Sequence, residues 1–160
     1  SSFDVDKFIW LSGIFLLSVF IFVYDIKYLI ILNKAVLLGV LWVALGLWFF
    51  KIQDFQNNIA ISFFIFLFFF LLYYFSKGRW VGGGAAKLGL FLGLWLGWPM
   101  GLVGLLFAYI LGTIVGLPLL LFRLVNLKSK VPFGPFLITG AWIAFLWGQK
   151  IIEWYITLVG

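Results

Sequence analysis

The sequence predicts an all-α membrane protein, a bundle of six transmembrane helices, and three observations lead there. Hydrophobic residues make up 66% of the 160 residues, aromatic residues 22% and charged residues only 10%. A soluble domain carries about 25% charged and about 45–50% apolar residues, so no water-facing surface can be assembled from this composition. The apolar residues gather into runs at 8–24, 35–50, 59–75, 85–98, 101–122 and 135–155. None shows the ten-residue polar/apolar alternation of a membrane β-strand, so backbone groups in lipid must pair within helices.

Each run is justified in turn. A span needs about 20 residues, and the shorter runs can borrow neighbours such as 28–32 or 80–81. The first run ends at Asp25 and Lys27. It has no basic stretch before it and no small-residue cleavage site after it, so it is not a cleavable signal peptide. Asn33 stands just before the second run, where Asn is a preferred N-cap. The third contains a Phe-rich wall over 63–70, expected to face lipid or a partner. The fourth is the shortest, parted from the fifth only by Trp98-Pro99-Met100-Gly101. Gly89, Gly93 and Gly97 recur at every fourth residue, Gly101 continues the spacing, and Gly112 and Gly116 repeat it. Small residues so spaced let helix backbones approach closely in lipid, which predicts packing of the fourth helix on the fifth. Trp10, Trp42, Trp48, Trp80, Trp98 and Trp154 lie at or towards run ends and read as interfacial anchors.

Loop charge orients the bundle. Lys27, Lys34, Lys77, Arg79, Lys87, Arg123, Lys128 and Lys130 fall on one side, against Lys7, Lys51 and Lys150 on the other. The positive-inside rule makes the first side cytoplasmic, with both termini outside. The net charge of +6 is then topology charge rather than a nucleic-acid signal. The chain has no cysteine and no histidine. Zinc sites built on those residues, thiol nucleophiles and Ser-His triads are excluded, and the redox compartment stays open. The acids Asp4, Asp6, Asp25, Asp54 and Glu153 do not cluster, so neither a metal nor a cofactor is expected. Asp25 is the acid placed at the cytoplasmic end of a span, where an ionisable group marks a site or a buried pair. The plainer alternative is an interfacial Asp paired with Lys27 or Lys34.

Two segments carry chemistry. In Asp25-Ile26-Lys27-Tyr28-Leu29-Ile30-Ile31-Leu32-Asn33 an Asp ends a helix, and Ile31 and Asn33 follow six and eight residues later. In Gly82-Gly83-Gly84-Ala85-Ala86-Lys87-Leu88 three glycines allow close backbone approach, although by themselves they fit a flexible linker as well. The first segment resembles the first aspartate motif of bacterial type IV prepilin peptidases, with Leu32 in place of the usual Pro. The second is similar to that family's Gly-x-Gly-Asp-x-Lys-Leu motif, with Ala85 in the aspartate's position. Pro132-Phe133-Gly134-Pro135 resembles the opening of the family's final span. Together the three cover nearly the whole chain, in order, within a six-span intramembrane aspartic peptidase core at 1–160.

The resemblance implies an aspartic endopeptidase with Asp25 and position 85 as the catalytic pair. Gly82, Gly83, Gly84, Lys87, Pro132, Gly134 and Pro135 would shape the site or bind substrate; Lys87 reads equally well as an inner-face topology lysine. The implied partner is a type IV prepilin or pseudopilin, cleaved at the cytoplasmic face of a bacterial inner membrane. Nothing in the sequence corresponds to the N-terminal span and cytoplasmic domain of many members, so methyl transfer is not expected of this chain. Two carboxylates that share a proton can hydrolyse a peptide: one draws a proton from water while the other hydrogen-bonds the scissile carbonyl. Ala85 removes one of them, so the chain as written is expected to be inactive, in a pattern that a single Asp-to-Ala replacement leaves. The rivals are a small transporter or channel subunit and a non-catalytic membrane scaffold. The peptidase reading requires the inner ends of the first and fourth helices to meet.

Overall fold

The computed structural model describes residues 2–50, 55–79, 81–124 and 131–160. Lys51, Asp54, Trp80, Lys128 and Lys130, which enter the orientation and anchoring arguments, lie outside the described residues. Six helices follow the six apolar runs: α1 (Ser2–Tyr28), α2 (Asn33–Phe49), α3 (Phe55–Ser76), α4 (Gly83–Leu96), α5 (Met100–Leu121) and α6 (Gly134–Val159). There is no strand among the described residues. The fold is an all-α membrane bundle. Among the described residues, α1, α3, α5 and α6 are the helices long and apolar enough to cross by themselves. With 17 and 14 residues, α2 and α4 reach about 25 and 21 Å at 1.5 Å per residue, short of a hydrocarbon core about 30 Å thick.

Helix α4 can be short because protein surrounds it. Ala85, Ala86, Leu88, Gly89 and every residue from Phe91 to Trp95 are buried, and α2, α3, α5 and α6 all pack on it. A helix covered on every side is a core helix. It stops at Gly97, whose φ of +65° suits glycine, and a Cβ there would run into the Asn58 amide. Irregular backbone at membrane depth survives when buried in protein, and Gly97 is buried.

The glycine stripe of α4 faces α3 rather than α5. A Cβ on Gly93 would come within 2.8 Å of the Ser62 Cα, and one on Gly89 within 2.6 Å of Ile65 Cγ2. Spacing reveals which face of a helix admits a close neighbour but not which neighbour comes. The close approach lets α3 bond to the backbone of α4. Ser62 Oγ donates to the Leu90 carbonyl at 2.9 Å, and Asn58 Nδ2 donates to the Leu94 carbonyl at 2.9 Å. Leu94 is among the last four residues of α4, whose carbonyls have no partner within the helix. Asn58→Ala should therefore lower stability by about 1–3 kcal/mol, measured as a fall in Tm in detergent; Asn57→Ala, at an exposed position, should leave Tm unchanged.

On α5, Gly104 serves α6 instead, while Gly101 faces Ile61 of α3 and Gly116 meets nothing. A Cβ on Gly140 would strike the Gly104 carbonyl, and Gly104 lies against the Ala141 backbone. The Phe wall is divided: Phe63, Phe64 and Phe70 are exposed, whereas Phe69 is fully buried and rings with Tyr109 and Phe133. Two of the expected anchors also do something else. Trp10 Nε1 donates to the Trp42 carbonyl at 3.1 Å and Trp42 Nε1 to the Trp10 carbonyl at 3.0 Å. Gly46 and Gly13 leave room for the two indoles, so this pair clasps α1 to α2. Trp48, Trp98 and Trp154 remain largely exposed, as anchors should.

Candidate active site

The inward face of α1 is the stripe Ile14, Ser18, Ile21 and Asp25, all buried and spaced at i, i+4, i+7 and i+11, as one face of an α-helix requires. That spacing turns Asp25 into the bundle, and it is only 3% exposed. Its Oδ2 accepts the backbone N–H of Gly134 at 3.0 Å. Gly134 is the first residue of α6, where N–H groups have no intrahelical partner and where an anion is favoured by the helix dipole. The carboxylate thus completes the start of α6. A Cβ on Gly134 would land on that same Oδ2, so this glycine is required by close approach. Pro135 follows in the first turn, where a missing N–H costs nothing. Pro132 is partly buried in the irregular stretch that leads there. Lys27, the alternative partner for Asp25, stands over the Tyr28 ring at 5.2 Å, and Lys34 is exposed.

The three glycines before position 85 have different surroundings. Gly82 is the extended N-cap of α4, with φ −71° and ψ 150°, and a Cβ on it would meet open space. Gly83 lies at ordinary contact distance, 3.6 Å, from the Tyr73 ring. Only Gly84 is pressed: a Cβ there would sit 2.7 Å from Ile31 Cβ. Ala85 follows, 2% exposed, its N–H bonded to the Gly82 carbonyl at 3.0 Å. Helical periodicity puts Ala85 on one face with Leu92 and Leu96. Those two line a small void together with Leu137 and Ala141 of α6. Position 85 thus lies on the inner face of α4, around a void that Ile65 of α3 and Gly104 and Leu105 of α5 line as well.

The meeting of α1 and α4 is indirect. Helix α1 packs along α2 and α6, and α4 along α2, α3, α5 and α6. Their ends are brought together through the start of α6 and through Ile31 in the turn between α1 and α2. Asn33 does not cap α2, because Leu32 occupies the N-cap position. Instead Asn33 Oδ1 accepts from Lys87 Nζ at 2.9 Å, tying the start of α4 to the start of α2. The bond is exposed, so Lys87→Met should change stability by less than about 0.5 kcal/mol, checked by thermal melting in detergent. The link between Gly134 and Asp25 had no signature in sequence, since a backbone N–H is present at nearly every residue. Ile31 was matched as part of a motif but given no role.

One carboxylate is therefore held in a buried place where three segments converge. Among the described residues the other acids, Asp4, Asp6 and Glu153, stand at the opposite end of α1 and α6, and no group of three or more potential metal ligands occurs.

Over part of its length the chain resembles known proteins. Over 37 residues the chain is 46% identical to a prepilin leader peptidase/N-methyltransferase of Aeromonas hydrophila, a stretch covering 23% of this chain and 13% of that protein. Over 39 residues it is 41% identical to the protein of the same name from Aeromonas salmonicida, covering 24% of this chain and 13% of that one. The aligned stretches are thus a small part of these relatives' length. No solved structure matches the chain significantly. The sequence model of the type IV leader peptidase family matches residues 11–117, the stretch that includes Asp25, the glycine run and Ala85, and on that match the chain belongs to the type IV leader peptidase family.

Proposed function

We propose that the protein is built to cleave the leader peptide from type IV prepilins or pseudopilins at the cytoplasmic face of a bacterial inner membrane, by a two-aspartate mechanism in which position 85 holds the second aspartate. The observation that carries this reading is the buried Asp25 carboxylate on the Gly134 N–H at 3.0 Å, at the end of the bundle where Gly84, next to Ala85, meets the α1–α2 turn. A carboxylate at position 85 and Asp25 would share one proton. The ionised member takes a proton from the attacking water, and the protonated member hydrogen-bonds the scissile carbonyl as negative charge develops on its oxygen. Protonation of the leaving amine completes the cut and restores the shared proton.

The positive-inside bias supports a cytoplasmic location for this end. A leader that is itself basic gains nothing from the exposed Lys27, Lys34 and Lys87 nearby, so the substrate is held by packing of its apolar helix rather than by charge. With Ala85 the pair cannot form, and the chain as written binds substrate without cutting it. The test is to present a leader-bearing prepilin to both forms in detergent. The Ala85 protein should retain it uncut in co-purification, and Ala85→Asp should release the leader. Absence of cleavage by Ala85→Asp in a folded protein overturns the reading.

A further inference from the structure

The glycines at 84 and 134 belong to different helices and different motifs, yet one side chain stands beside both. A Cβ on Gly84 would lie 2.7 Å from Ile31 Cβ and 3.3 Å from Ile31 Cδ1. A Cβ on Gly134 would lie 3.4 Å from the same Cδ1. The terminal methyl of Ile31 thus stands where a side chain added at the start of either α4 or α6 would meet it. Ile31 sits in the irregular turn between α1 and α2, partly buried and packed on the core. Its branching at Cβ restricts χ1, so it acts as a spacer of fixed width rather than as a flexible filler. Interiors are close-packed, and the loss of one methyl at such a junction is taken up by movement of the two backbones it separates.

The consequence lies next door on each side. Gly84 directly precedes position 85, and the Gly134 N–H holds the Asp25 carboxylate. We infer that Ile31 is a positioning residue, whose Cδ1 methyl sets the separation between the starts of α4 and α6 and so fixes how far position 85 stands from Asp25. This rests on the proposed two-aspartate reading for its meaning in catalysis, but its geometry can be measured without any cleavage.

Ile31→Val is the informative change, because it removes Cδ1 and leaves Cβ, the atom closest to Gly84. The chain has no cysteine, so spin labels can be placed at Lys27→Cys and Lys87→Cys, at exposed positions on α1 and α4; the loss of the Lys87–Asn33 bond is then common to the proteins with and without Ile31→Val. Adding Ile31→Val should shift or broaden the distance distribution between the labels. In the Ala85→Asp enzyme, Ile31→Val should lower kcat by about 10-fold, the scale of a small misplacement of reacting groups, with KM nearly unchanged. It should also move the two limbs of the pH profile relative to each other, because the coupling of two carboxylates depends on their separation. An unchanged label distance overturns the inference. So do a shifted distance with unmoved limbs and a fall in Tm alone, either of which makes Ile31 an ordinary packing residue. If Ala85→Asp does not cleave at all, the functional reading fails while the label distances still decide the role of Ile31.

Discussion

On the proposed two-aspartate reading, Ala85→Asp should raise leader cleavage about 1000-fold or more over the parent, the scale that concerted acid and base catalysis supplies. The gain should be lost completely in the double variant Asp25→Asn/Ala85→Asp, because one carboxylic group cannot both take the water's proton and donate to the carbonyl. Cleavage of a purified prepilin, followed by the shortening of the chain, reads both. Its pH profile should be bell-shaped, since one member must be ionised and the other protonated. Position 85 is 2% exposed, so the new acid enters a buried place; it costs about 1–3 kcal/mol unless it finds a partner. A Tm in Ala85→Asp close to that of the parent, together with a fall in Asp25→Asn/Ala85→Asp, would show that the partner is Asp25. Cleavage that survives Asp25→Asn would end the dyad assignment.

Gly134→Ala has the second largest expected effect. The N–H that holds Asp25 is kept, but the new methyl falls on Oδ2. Either the carboxylate swings away or the start of α6 moves, and in both cases a hydrogen bond to a charged group worth about 1.5–3 kcal/mol is weakened or lost. In the Ala85→Asp background, cleavage should drop about 10- to 100-fold, as misplacement of a reacting group does. Gly112→Ala is the control. It also faces α6, but its Cβ would meet Phe133 and Phe136 at 3.4 Å or more, and both Tm and cleavage should stay near the parent's. Equal effects of the two substitutions would mean that Gly134 matters only for packing.

The family-model match ends at residue 117, before α6 begins, yet α6 supplies the backbone N–H that bonds the Asp25 carboxylate. That division illustrates where sequence information stops. Composition determined the solvent, since a chain with 10% charged residues has no means of facing water. Apolar runs determined six helices in their observed order. Those properties are local or additive, and a chain carries them wherever its neighbours lie.

Tertiary structure decided who meets whom. The glycines of α4 were legible as a close-packing face, but α3 rather than α5 came to occupy it, because Asn58 and Ser62 satisfy α4 carbonyls there. Trp10 and Trp42 read as anchors and became a clasp, because Gly13 and Gly46 opened room for each other's indole. Asn33 read as a cap and became a tether for Lys87. Most of all, the partner of Asp25 is a backbone amide at the start of a distant helix, and the spacer beside it is an ordinary isoleucine. Neither has a residue type to announce it, since close approach and hydrogen bonding depend on which surfaces the folded chain brings into contact.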